Sequence, residues 1–240
     1  AGNKKVIDFL IEGGLDGILV LGSAGEFPDL NEQERLDFFR FYAEYVNGRV
    51  ELLAGTGCIR YADTLALSNA VYELGYTPMV ISPYYFEMDQ EKLFVYYDRL
   101  AKDVKGDLYL YNFPPRTGHS IAPETIRRLI DANSNIIGLK DSVSTPGHTN
   151  MVCRAVEGKP FTVYSGFDDQ FLSNIANNGG GGCIGALSII VPEIWSSLVK
   201  AANERDFDRT FALYHLIQKL MPIYDMDTNC SLILKKLLVH

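Results

Sequence analysis

The chain has 240 residues, 47% hydrophobic and 22% charged, a globular profile that disordered and collagen-like chains do not share. Thirty acidic against 22 basic residues give a net charge of −8, which argues against a nucleic-acid surface. No apolar run approaches the ~20 residues that span a bilayer, so a membrane partner is not expected either.

In chain order, the N-terminus opens an amphipathic stretch and lacks the apolar block of a signal peptide. Nearly continuous β-branched and aliphatic runs at 16–21, 50–54, 78–82, 108–112, 136–140, 162–165 and 183–187 read as seven strands of a parallel sheet covered on both faces. Between them, helical periodicity marks 32–46, 62–74, 90–104, 123–132, 151–156 and 168–177. Asn31 followed by Glu34 has the spacing of a capping box. After Leu187 the β pattern stops, and 192–202, 207–221 and 228–238 read as helices. The four cysteines (Cys58, Cys153, Cys183, Cys230) form neither a CxxC pair nor a metal-ligand spacing, which fits reduced thiols in a cytoplasmic protein. The four histidines (His119, His148, His215, His240) lack metal-ligand spacing too, so no metal is expected.

Strand–helix alternation allows an open doubly wound sheet or a (β/α)8 barrel. The open sheet calls for a GxGxxG turn after its first strand, and the chain has none. Polar or reactive residues instead close several strands: Ser23 and Glu26, Tyr84 and Tyr85, Tyr111 and Asn112, Lys140 and Asp141, Ser165 and Asp168. Barrel enzymes gather their chemistry at such strand ends, so the pattern predicts an α/β fold of the (β/α)8 TIM-barrel type. The barrel is expected over 1–190, with a C-terminal helical extension over 191–240.

Among the lysines, Lys140 alone closes a core-like run, Ile136-Ile137-Gly138-Leu139-Lys140. An ammonium at the end of a core strand is desolvated, which favours the neutral amine, and a neutral amine in a dry pocket attacks ketones to form a Schiff base. The competing reading pairs Lys140 with a buried carboxylate, Asp141 or Asp168. Tyr111 either carries protons for that chemistry or plugs the barrel as an aromatic. Arg116, behind two prolines, either clamps a substrate carboxylate or sits at the surface. The Gly22-Ser23-Ala24-Gly25-Glu26 turn suits a carboxylate held by successive backbone N–H groups, or is an ordinary connection. Gly179 to Gly182 precedes a strand and reads as a tight turn, since no helix N-terminus faces it as a phosphate cradle needs.

Taken together, these segments resemble the N-acetylneuraminate lyase and dihydrodipicolinate synthase family of pyruvate-dependent class I aldolases. Gly22 to Glu26 looks like that family's G-[ST]-x-G-E loop, Pro83-Tyr84-Tyr85 its P-Y-Y segment, Tyr111 to Pro114 its Y-N-x-P, and Gly138 to Ser142 its Schiff-base strand. The resemblance implies a homotetramer of barrels that needs no cofactor and acts on small molecules, pyruvate with an aldehyde or a 2-oxo sugar acid. By the same likeness Lys140 forms the Schiff base and Tyr111 is the acid/base, relayed through Ser23 and through Tyr85 from a neighbouring subunit. Substrate would be bound by Ala24, Arg116, Ser142, Gly166, Asp168, Asp169 and the Ile184 carbonyl. A strand that precedes this point in related proteins is not found in the chain, so a barrel lacking its first strand is expected.

The substrate markers divide. Arg116 matches the dihydrodipicolinate synthase form, whereas Ser165-Gly166-Phe167-Asp168-Asp169, Gly25-Glu26-Phe27 and Pro146-Gly147-His148 look more like the 2-keto-3-deoxygluconate aldolase branch. Ala24 and Ala186 stand where the neuraminate lyases carry hydroxyl residues. The reading is therefore a pyruvate lyase/aldolase for short 2-keto-3-deoxy sugar acids, with 4-hydroxy-tetrahydrodipicolinate synthase as the alternative. A non-catalytic 2-oxo-acid-binding protein is the reading from another class.

Overall fold

The computed structural model describes residues 2–239; Ala1 and His240 lie outside the described residues. Helix α1 (Gly2–Glu12) leads into strand β1 (Gly17–Val20), and five strand–helix units follow. They are α2 (Glu32–Val46), β2 (Glu51–Gly55), α3 (Tyr61–Tyr72), β3 (Thr77–Ile81), α4 (Gln90–Asp103), β4 (Leu108–Asn112), the single turn α5 (Pro114–Thr117) with α6 (Pro123–Ala132), β5 (Ile136–Asp141), α7 (Pro146–Ala155) and β6 (Thr162–Ser165). The short α8 (Phe171–Ile175) and β7 (Gly180–Cys183) complete the sheet, and α9 (Pro192–Asn203), α10 (Phe207–Leu220) and α11 (Cys230–Leu237) pack at its end.

Among the described residues, the seven strands are all parallel and pair in chain order, β1 to β7. Sequential parallel pairing through helical crossovers of one hand curls a sheet, and the result is a TIM-barrel-like wall with β1 and β7 at its two edges. The outer face packs on the helices through fully buried Leu93, Tyr97, Leu100, Leu108, Leu110, Ile126, Leu129, Leu139, Val152 and Val163. Each such side chain contributes roughly 1.5–3 kcal/mol by leaving water. A second cluster, with Met79, Ile81, Tyr109 and Tyr111, joins β1–β4 to α1–α3. A third ties the C-terminal helices to the wall through Phe171, Leu187, Trp195, Leu198, Ile217 and Leu234.

The capping box at α2 forms as its spacing predicts: Glu34 N–H donates to Asn31 Oδ1 at 3.0 Å, and Asn31 N–H donates to Glu34 Oε2 at 2.8 Å. The last strand corrects the expectation. It occupies Gly180–Cys183 instead of 183–187, so the glycine run is the strand and not a turn before it. A Cβ on Gly181 would lie 2.8 Å from the Tyr164 ring and 2.3 Å from the Thr162 methyl, so close approach to β6 demands glycine there. The apolar residues that follow run into a 3-10 turn at Leu187–Ile189. Helix α7 starts at Pro146, five residues before the expected 151, because proline fits the first helical turn. The expected helix over 168–177 divides into a 3-10 turn, Asp168–Gln170, and α8.

Candidate active site

The register of β4 and β5 sets Tyr111 directly beside Lys140. Lys140 is 8% exposed, and its Nζ lies 4.5 Å from the centroid of the Tyr111 ring. The ion pairs found among the described residues do not include Lys140. The paired-lysine reading therefore fails among the described residues: Asp141 and Asp168 each hydrogen-bond other side chains and neither forms an ion pair with Lys140. The Tyr111 hydroxyl lies 3.2 Å from Ser23 Oγ, so amine, phenol and alcohol meet although 88 residues separate the last two.

Ser23 owes its place to a strained connection. Leu21 and Glu26 hold φ of 56° and 55°, left-handed values costly for both residue types, and bracket a single 3-10 turn, Ser23–Gly25. Ala24 is half-buried on that turn. Glu26 then receives Lys235 and Asn229 from the α11 region, which ties the turn to the C-terminal helices.

Asp141 projects into a closed polar network. It is fully buried and accepts from Asn112 Nδ2 at 2.8 Å, Thr149 Oγ1 at 2.7 Å and His148 Nδ1 at 2.9 Å. Beyond the strands the ladder continues: Ser142 N–H reaches the Asn112 carbonyl at 2.8 Å, Gly166 N–H the Asp141 carbonyl at 2.8 Å, and Ile184 N–H the Ser165 carbonyl at 2.9 Å. Ser142, Gly166 and Ile184 thus lie in one row at the C-terminal rim.

The two aspartates expected at the substrate separate. Asp169 is exposed, and its carbonyl accepts from Tyr214. Asp168 is fully buried and accepts from the Tyr224 hydroxyl, which in turn accepts from Ala186 N–H at 3.1 Å. Its Oδ1 makes no hydrogen bond. Burial raises the Asp168 carboxyl from 3.8 to about 6, against the opposing pull of Tyr224 and the Ala186 and Leu187 amides. The folded chain therefore holds a proton that the unfolded chain releases between these values, so stability is present at low pH and lost as pH rises through the window. The loss between 3.8 and about 6 is on the order of 3 kcal/mol, and Asp168→Asn should flatten it in chemical denaturation curves taken across that range.

Tyr85 stands apart from this cluster. It is 82% exposed at φ 88°, stacked edge-on with Phe86 at 4.9 Å, and Phe86 is 73% exposed. Arg116 is exposed, with its guanidinium 6.0 Å from the Phe113 ring and donating to the Thr228 carbonyl at 3.3 Å. Phe113 stacks on Tyr111 at 5.8 Å and meets Phe167 edge-on at 6.2 Å, an aromatic wall beside the phenol. Three groups escape sequence reasoning: the Asn112–Asp141–His148–Thr149 network, Tyr224 and the Phe113–Phe167 wall. Asn112, Asp141, His148 and Phe167 each stand in a segment the sequence marks, but nothing in the sequence joins them into these groups. Among the described residues no group of three or more His, Cys, Asp or Glu side chains converges as a metal site would require.

A curled parallel sheet that brings a buried lysine, a buried tyrosine and a half-buried serine together at its C-terminal strand ends has the layout of a barrel-type enzyme. The chain belongs to the dihydrodipicolinate synthetase family, whose model matches residues 1–239. It is 34% identical over 241 residues to the putative 2-dehydro-3-deoxy-D-gluconate aldolase YagE of Escherichia coli K12, covering 99% of this chain and 80% of that protein. The crystal structure of YagE in complex with pyruvate superimposes with a TM-score of 0.95 at 33% identity, over 99% of this chain and 80% of that one. The probable 2-dehydro-3-deoxy-D-pentonate aldolase YjhH of the same organism is 34% identical, over 94% of this chain and 75% of its own length. A 4-hydroxy-tetrahydrodipicolinate synthase of Kosmotoga olearia is 33% identical, over 94% of this chain and 77% of its own.

Proposed function

We propose that this protein is a Schiff-base-forming pyruvate aldolase that cleaves or forms a carbon–carbon bond in 2-keto-3-deoxy sugar acids such as 2-keto-3-deoxygluconate. One observation carries the reading: a buried lysine that no carboxylate among the described residues pairs with lies 4.5 Å from the centroid of a tyrosine ring whose hydroxyl reaches Ser23. Lys140 Nζ attacks the C2 carbonyl of the keto acid, and loss of water leaves an iminium. The iminium accepts the electron pair released when the C3–C4 bond breaks, while Tyr111 takes the C4 hydroxyl proton as the aldehyde forms. Protonation of the enamine and hydrolysis release pyruvate and restore the amine.

The Ser23–Ala24 turn holds the pyruvate carboxylate, with Ser142, Gly166 and Ile184 along the rim. The aldehyde portion faces the Phe113–Phe167 wall beside Arg116 and Asp169. With Asp168 fully buried against Tyr224, its part is to hold the Gly185–Leu187 turn that forms the far side of the pocket. Tyr85, exposed on a strained turn, extends the proton relay of a second copy within a homotetramer. Four free cysteines fit a reducing cytoplasm, and among the described residues no helix is long and apolar enough to cross a membrane.

The test is to mix the protein with pyruvate and borohydride and to look for a stable gain in mass, then to follow pyruvate release from 2-keto-3-deoxygluconate. Protein that gains no mass sinks the mechanism. Arg116 favours a second reading, 4-hydroxy-tetrahydrodipicolinate synthase, because an exposed guanidinium at the rim suits the carboxylate of aspartate semialdehyde. Arg116→Ala is expected to lower kcat/KM for that aldehyde acid by about 10–100-fold, and to change cleavage of a neutral-tailed sugar acid far less. Activity with pyruvate plus aspartate semialdehyde alone would reverse the order of the two readings.

A further inference from the structure

We propose that His148 is held as an imidazolium that pins Asp141, and through it the C-terminal ends of β4 and β5, in the arrangement that presents Lys140 beside Tyr111. The role is one of positioning, and it rests on the reading of Lys140 as the Schiff-base lysine.

The hydrogen-bond geometry calls for the cation. Nδ1 lies 2.9 Å from Asp141 Oδ2 and Nε2 lies 3.0 Å from the Ile121 carbonyl oxygen. Both partners are acceptors, so both ring nitrogens must carry hydrogen, which a neutral imidazole cannot supply. Among the described residues, Ser120 Oγ is the one hydroxyl that reaches Nε2, at 3.4 Å, and it already accepts from Asn112 Nδ2 at 3.2 Å. A neutral ring taking a proton from Ser120 would still set its lone pair against the closer carbonyl.

Charge balance points the same way. Asp141 is fully buried, and its other donors, Asn112 and Thr149, are neutral. A buried carboxylate without a counter-charge is costly, and His148 supplies one. Lys140, the preceding residue, projects from the opposite face of the strand. From α6 Glu124 adds a further favourable charge, and on α7 the Cys153 thiol is pushed up to about 11 by burial and by Asp141, so it stays neutral. Burial opposes the charged ring, but Asp141, the Ile121 carbonyl and Glu124 outweigh it and raise His148 above 6.5. The stabilisation is therefore complete below 6.5 and lost as pH rises through the folded value.

The pin reaches the chemistry through adjacent residues. Asn112 follows Tyr111, Asp141 follows Lys140, and the two are register partners joined at 2.8 Å by their side chains. His148→Gln keeps a donor to Asp141 and removes the charge. In that variant the initial rate of borohydride-trapped pyruvate adduct is expected to fall about tenfold near pH 6.5, a fold-change typical of a small misplacement of a reacting group. The wild-type to variant ratio should close towards unity as pH rises through the titration of His148. Long-range 1H–15N NMR of the wild-type chain, which needs no variant to fold, should show both ring nitrogens protonated at pH 6.5. A ring with a single N–H at that pH, or a ratio that does not change with pH, overturns the proposal. Wild-type protein that forms no adduct at any pH overturns the aldolase reading and this role with it, and the NMR then reports separately on the imidazolium.

Discussion

Lys140→Ala protein is expected to gain no mass when mixed with pyruvate and borohydride, whereas the wild type gains a reduced pyruvyl group on one lysine. Loss of a covalent nucleophile removes the route through an iminium, so turnover should drop by on the order of 10⁴-fold or more. The variant should nevertheless fold. The amine lies beside the Tyr111 ring, and among the described residues no carboxylate pairs with it, so alanine leaves no buried partner stranded. Its stability should fall by no more than about 1 kcal/mol, the lost packing of the lysine stem. Thermal unfolding measured beside the mass spectrum separates lost chemistry from lost structure. Lys140→Arg sharpens the test, because a guanidinium keeps the charge and stays protonated, so it cannot attack a ketone. An adduct that persists on Lys140→Ala would falsify the assignment of the nucleophile.

Gly185→Ala is expected to damage both fold and site with a single added methyl group. The new Cβ would lie 2.4 Å from Cγ and from both carboxylate oxygens of Asp168. Asp168 cannot swing away, because it is fully buried and held by Tyr224. Either the turn carrying Ile184 and Ala186 shifts, or the Asp168–Tyr224 contact breaks. Overpacking together with a disrupted buried hydrogen bond costs about 3 kcal/mol, read as a lower denaturation midpoint at unchanged slope. Because Ile184 N–H pairs with the Ser165 carbonyl at the C-terminal rim of the sheet, a shift of the turn should slow adduct formation as well. The double variant Gly185→Ala/Asp168→Ala removes the clash and should lose less than the sum of its singles. Additive losses would show that the carboxyl group is not what excludes a side chain at 185.

Both expectations concern contacts between segments far apart in the chain, and they mark how far the sequence reaches. The strands over 108–112 and 162–165 and the helices over 32–46 and 123–132 were legible to the residue, because periodicity, prolines and the Asn31–Glu34 cap act within a few positions. Lys140 was legible because a charge closing an apolar strand is locally improbable. Boundaries failed where packing overrode local preference. Glycines at 180–182 are poor strand formers in isolation, yet they form β7 because the Asn174 backbone and the Tyr164 ring leave no room for a side chain.

The linear order of residues is enough to read the alternation of strand and helix, the parallel sheet with reactive residues at its C-terminal ends, and the identity of the amine, phenol and hydroxyl that meet there. Tertiary structure alone decided which of them touch: Tyr111 with Ser23, 88 residues away, and Asp168 with Tyr224, 56 residues away. It decided as well that Asp141 answers to His148, Asn112 and Thr149 and not to Lys140. The physical reason is range. Backbone preference and amphipathic period are set by neighbours within a turn or two, whereas the partner of a buried charge is set by the register and curl of the whole sheet.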